Sequence, residues 1–119
     1  NAGATFGASV TAETDTDTSN SGSVTLDYAA HQNFVLTMTG NVTLANPSTE
    51  VVGQSGFITF IQDGTGSRVL SVGSQYFCAG GSVIVLSTAA NSIDIVPYVV
   101  IAAGKICLGA PQLAFADAS

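Results

Sequence analysis

The chain has 119 residues and a mass of 11.9 kDa, which suits one domain of sandwich or barrel size and excludes a multidomain enzyme. Two basic residues, Arg68 and Lys105, stand against eight acids for a net charge of -6, so the chain repels a nucleic-acid backbone rather than neutralising it. Its mean hydropathy is +0.45, yet the densest apolar stretch, Ile93 to Ala103, is broken by Asp94 and Pro97 and falls well short of the roughly 18 residues a membrane helix needs.

In chain order, the sequence opens on Asn rather than Met, which implies a processed or longer precursor, and it displays no signal-peptide apolar region. Residues 1–10 carry only Phe6 and Val10 as large apolar side chains. Residues 11–22, TAETDTDTSNSG, have none, together with three of the eight acids. Such a composition does not offset its own ordering entropy, so residues 1–22 are expected to form an extended N-terminal arm lying on a neighbouring subunit, with the β-domain over residues 23–119.

From Ser23 the period changes to two: Val24 and Leu26 alternate with polar residues, then Phe34, Leu36 and Met38 alternate with Val35, Thr37 and Thr39. Gly40-Asn41 has the composition of a two-residue hairpin turn before Val42 and Leu44, and Asn46-Pro47-Ser48 closes the strand. Phe57 to Ile61 is apolar on both faces, as in a central strand or one at a subunit contact. Asp63 to Ser67 reads as a turn before Val69 to Val72, and Gly80-Gly81 separates Tyr76-Phe77-Cys78 from a strand at Val83 to Leu86. After a loop at Ser87 to Ser92, Ile93 to Ile101 forms a strand whose Pro97 marks an edge or a bulge. Ala102 to Lys105 turns into Ile106-Cys107-Leu108, and Gln112 to Phe115 gives a last strand. About eight or nine short strands with no helical period predict an all-β fold, a single antiparallel β-sandwich or barrel.

The candidate chemistry is sparse. Cys78 and Cys107, separated by 28 residues, match neither a CxxC motif nor a zinc half-site; a disulfide and two buried thiols both fit. His31 is the single histidine and no Gly-x-Ser-x-Gly elbow accompanies it, so it reads as a loop residue. Of the acids outside the arm, Asp27, Glu50, Asp63 and Asp117 sit beside turns or the chain end, and Asp94 is expected to face solvent from a strand edge. Asp63-Gly64-Thr65-Gly66 lacks the lysine of a phosphate loop and the closing glutamate of a calcium loop. Asn41-Val42-Thr43 matches a glycosylation triplet, but a turn already explains Asn41; Asp15 to Thr18 offers oxygens without fixed geometry. Sequence therefore nominates no catalytic, cofactor or metal-binding residue and no enzyme, and leaves Phe6 and Val10 as contact residues. With 26 Ser and Thr and 13 Gly, the surface is neutral and repels copies of itself weakly, which points to a homo-oligomer, a trimer being the expected number.

The ordered phrases FVLTMTGNVTLANP, GQSGFITFIQDGTGSR and STAANSIDIVPYVV, followed by KICLGAPQLAF, resemble a small β-domain of virion structural proteins in tailed bacteriophages, over about residues 22–115. The resemblance implies a capsid decoration (cement) protein or part of a tail fibre, and no catalytic site or cofactor. A short chain with a terminal arm and few aromatics suits the cement role. It would bind the major capsid protein on the outer capsid surface, without nucleic acid or membrane, and stabilise the assembled shell by mass action. A tail-fibre or receptor-binding domain is the alternative. A carbohydrate-binding module is more distant, because Tyr28, Tyr76 and Tyr98 are too scattered in sequence to nominate a sugar platform.

Overall fold

The computed structural model describes residues 7–119, and in them the two-residue period folds into eight strands. These are β1 (Thr14–Val24), β2 (Asn33–Leu44), β3 (Ser55–Gln62), β4 (Leu70–Val72), β5 (Tyr76–Cys78), β6 (Ile93–Ala102), β7 (Lys105–Leu108) and β8 (Gln112–Phe115). All eight belong to one sheet of order β1-β2-β3-β6-β7-β5, with β4 pairing the second half of β2 and β8 pairing the start of β6.

The fold is all-β, as the alternation predicts, but the sheet is mixed and open rather than antiparallel and closed. β1, β3 and β4 run parallel to β2, and β5 runs parallel to β7; only the β3–β6, β6–β7 and β6–β8 pairs are antiparallel. Parallel neighbours need a return path, usually a helix. Here residues 25–32 and 45–54 make the return as irregular chain. The first of these carries Leu26 and Tyr28 into the core, where the Tyr28 ring meets Phe34 edge-on at 5.2 Å and Tyr98 at 5.4 Å. Without a helix-period segment the sequence gives no sign of a crossover, which is why it reads as antiparallel.

One face of the sheet holds the core. Phe34, Leu36, Met38, Ile58, Phe60, Val96, Val100 and Ile106 are buried on it, each worth about 1.5–3 kcal/mol relative to exposure. Leu86 helps to close the core although Val83 to Leu86, read as a strand, belongs to none of the eight strands.

Three local expectations are corrected. Gly40-Asn41 does not turn a hairpin, because neither residue has the positive φ that a primed turn requires. β2 instead runs straight through it with a bulge: Met38 pairs Asn20 while Val42 pairs Gly22. A Cβ on Gly40 would stand 2.9 Å from Ser21 Cβ, so glycine is required there by the close approach of β1. Asn41 Oδ1 accepts from Val69 N at 3.0 Å and seats the chain entering β4. The segment read as an arm enters the sheet at Thr14 as an edge strand. Its Thr-rich alternation is polar on both sides and so invisible to hydrophobic periodicity, while the ladder to β2 and buried Asn20, whose Nδ2 donates to Asp17 O and Thr37 O, hold it in place. Finally, β6 lies between β3 and β7 rather than at an edge. Pro97 is accommodated where β6 changes partner from β8 to β7: its carbonyl accepts from Gly109 N at 2.8 Å on that side, where the N–H it lacks would also point. The hairpin that does form is β6–β7, turned by Ala103-Gly104 with Gly104 at φ 72°.

Candidate functional site

The sequence-predicted residues do not converge. Phe6 lies outside the described residues. Val10 is exposed and lines, with Glu13, Tyr28, His31, Gln32 and Gln54, an open cleft of about 450 Å³ beside the start of β1. His31 is half-buried there, edge-on to Phe34 at 6.2 Å, and its Nδ1 finds no partner among the described residues. The cleft is held by hydrogen bonds to main-chain carbonyls: Gln32 N and Asn33 N both donate to Glu13 O, and the Gln54 side-chain Nε2 donates to Tyr28 O and His31 O. Among the described residues, no three His, Cys, Asp or Glu side chains gather closely enough to hold a metal ion.

The acids serve the fold. Asp63 Oδ1 accepts from Thr65 N, Gly66 N and Arg68 Nε, and Oδ2 accepts from Arg68 Nη2 at 2.8 Å. The Arg68 hydrogen bonds, followed by those from the loop amides, bring its carboxyl down to about 2. Beneath this loop, buried Gln62 donates to Arg68 O and Ser87 O and accepts from Arg68 N. Asp94 is 2 % exposed, a correction to the solvent-facing position expected of it. Its Oδ2 accepts from Ser87 N at 2.6 Å and its Oδ1 from Ala114 N at 2.8 Å, so it ties the loop before β6 and strand β8 to the sheet.

The tyrosines and cysteines are likewise accounted for. Tyr28, Tyr76 and Tyr98 are buried, Tyr28 and Tyr76 joined through their hydroxyls at 3.0 Å, so they offer no exposed platform for a sugar ring. Burial raises the Tyr76 hydroxyl to about 12 and Tyr28 further still. Phe77 is paired with Cys107 and Cys78 with Leu108 across the parallel β5–β7 ladder. Cys78 therefore points to the core side and Cys107 to the opposite side; both are free thiols.

What the strands do bring together is an apolar surface on the face away from the core. The shared registers line up Phe57 with Pro97, Val35 with Thr59 and Ile95, Thr37 with Ile61, Ile93 and Phe115, and Val99 with Cys107 and Phe77. Phe57 is 53 % exposed, Phe77 44 %, Phe115 48 % and Ile101 56 %. Of the strand residues on this side only Lys105 carries a charge, at the rim, with Nζ 5.9 Å from the Phe77 ring centre. The both-face apolar run at Phe57 to Ile61 is the sequence signal for this surface.

With this geometry in view, comparison with known proteins gives one result. No curated protein and no solved structure matches the chain. A family described as "Putative phage tail fibre C-terminal domain" matches residues 24–106, from the end of β1 into β7. That span is most of the described sheet, and the chain belongs to this family of phage virion structural domains.

Proposed function

We propose that this chain is the C-terminal domain of a bacteriophage tail fibre and that it works by binding rather than catalysis. The observation that carries the reading is the family match over residues 24–106. It favours the fibre over the cement protein that chain length and arm composition suggest, and so supports a position on the tail in place of the outer capsid surface. The geometry is consistent with a binding role: the conspicuous surface is a charge-poor apolar sheet face, while Asp63 and Asp94 are occupied in holding loops. Contact with a major capsid protein stands as the expectation of the cement alternative, whereas self-association is expected from the charge-poor surface under either reading.

The test is location and copy number on purified particles. Antibody against the chain, with gold labelling in electron microscopy, is expected to decorate the tail, and quantitative peptide mass spectrometry should give a small copy number relative to the major capsid protein. Labelling spread over the head, with copies in lattice proportion to the major capsid protein, would overturn the fibre reading in favour of a cement protein.

A further inference from the structure

We infer that the outer face of the sheet, centred on β2, β3, β6 and β7 with Phe77 of β5 and Phe115 of β8 at its margins, is the surface through which copies of this chain associate with one another. The inference concerns the chain's own assembly and deepens the fibre reading without depending on where in the virion the domain sits.

The first ground is area. Phe57, Phe77 and Phe115 are each about half exposed, so with roughly 200 Å² per aromatic side chain they alone present about 300 Å² of apolar surface. That already equals the lower range of the largest patch on ordinary monomers, before Val99 and Ile101 are added. Four strands at ~4.8 Å spacing and about 26 Å long give the face a footprint of roughly 500 Å². Two such faces together make about 1,000 Å², the lower bound for a specific interface.

The second ground is charge, and it selects the occupant. A chain of net charge -6 repels its own copies wherever its acids meet. Of the strand residues on this face none is an acid, since Asp94 of β6 points to the core side with Phe60, and Lys105 at its rim is cationic. Copies meeting here bring no carboxylates together. A glycan fits poorly, because aliphatic and Phe side chains cannot satisfy its hydroxyls. An anionic membrane is repelled by the same net charge, and one lysine at the rim, with no Trp in the chain, falls short of the basic and aromatic flanks of an interfacial surface. A second copy supplies a matching charge-free face, and sheets pack face to face about 10 Å apart with their side chains interdigitated.

The test is the mass of the purified whole chain at micromolar concentration, by light scattering and sedimentation equilibrium. Two or three copies are expected. Phe57→Lys and Ile101→Lys should each weaken association by roughly 30-fold or more while leaving the circular dichroism spectrum unchanged. Val85→Lys, an exposed apolar residue outside the strands, should leave association intact. Should Phe57→Lys fail to fold, Ile101→Lys, near the end of β6, reads the same face. A monomeric wild type overturns the inference, as do folded variants that associate like wild type. It is equally overturned if deleting residues 1–12 turns a monomer into an oligomer, since the chain would then cover its own face, or if a monomer binds neutral phosphatidylcholine vesicles through it. A monomer found on the tail would leave the fibre reading standing, and an oligomer found on the head would leave this one standing.

Discussion

Replacing Gly66 by Ala should destabilise the domain far more than the same change two residues earlier, at Gly64. Gly66 holds φ 75°, and a Cβ there would lie 2.6 Å from Thr88 O and 2.8 Å from Ala90 N, both main-chain atoms that cannot swing aside. Holding alanine in the left-handed region costs about 1–2 kcal/mol. Forcing residues 88–90 outward adds about 1–3 kcal/mol and loosens the Ser67 N to Thr88 O bond of 2.7 Å. The reduced freedom of the unfolded chain returns about 0.4–1 kcal/mol. The net loss is about 1–4.6 kcal/mol, or roughly 4–18 °C in Tm for a domain of this size. At Gly64 no atom lies within 4 Å and φ is not positive, so Gly64→Ala should stay within about 0.5 kcal/mol of wild type. Thermal and urea unfolding followed by circular dichroism measure both. Equal stabilities for the two variants would refute the account of this loop as one packed against residues 88–90.

Further expectations follow from the same contacts. Asp94→Ala removes the acceptors of Ser87 N and Ala114 N and should lose about 2–3 kcal/mol, with hydrogen exchange accelerating across residues 112–115; protection unchanged there would detach Asp94 from β8. Asp63 has its carboxyl pulled from 3.8 to about 2, so its contribution to stability is complete above 3.8 and disappears as pH falls through 2. Asp63→Asn should therefore flatten the acid loss in that window, and an unaltered acid profile would contradict it. For Tyr76, burial raises the hydroxyl from 10.0 to about 12, so stability is full below pH 10 and declines as pH rises through 12. Ultraviolet titration should show Tyr28 and Tyr76 ionising only as the fold is lost, whereas ordinary titration near 10 in a folded chain would place them at the surface. Thiol titration of the unfolded chain without reductant should find both cysteines reactive, because Cys78 and Cys107 project to opposite sides of the sheet.

Strand positions were legible because one residue in two had to be buried: Phe34, Leu36 and Met38, then Ile58 and Phe60, then Val96 and Val100, all face the core as their alternation requires. Strand direction was not. Nothing in residues 25–32 or 45–54 distinguishes a chain crossing back over the core from a loop, and Gly40-Asn41 offered a hairpin composition that the backbone uses for a bulge. Edge strand β1 escaped for the opposite reason: only Asn20 is buried in it, so no hydrophobic period could reveal a strand whose ladder is its main anchor. Asp94 reads as solvent-facing because a carboxylate in a strand ordinarily faces water, whereas its two main-chain donors come from Ser87 and Ala114, which only the fold brings to it.

The apolar outer face marks a different boundary between sequence and structure. A run such as Phe57 to Ile61 is written identically whether the strand is covered on both sides within one chain or on one side by a second copy. Composition narrows this only slightly, since low charge suits both a deep core and an interface. The two cases separate when burial is resolved side chain by side chain: Phe60 is 1 % exposed and Phe57, three residues before it on the other face, is 53 % exposed. A strand that spends two phenylalanines but shelters one has a neighbour still to meet, and the absence of acids from that face, on a chain of net charge -6, makes another copy the neighbour it tolerates best.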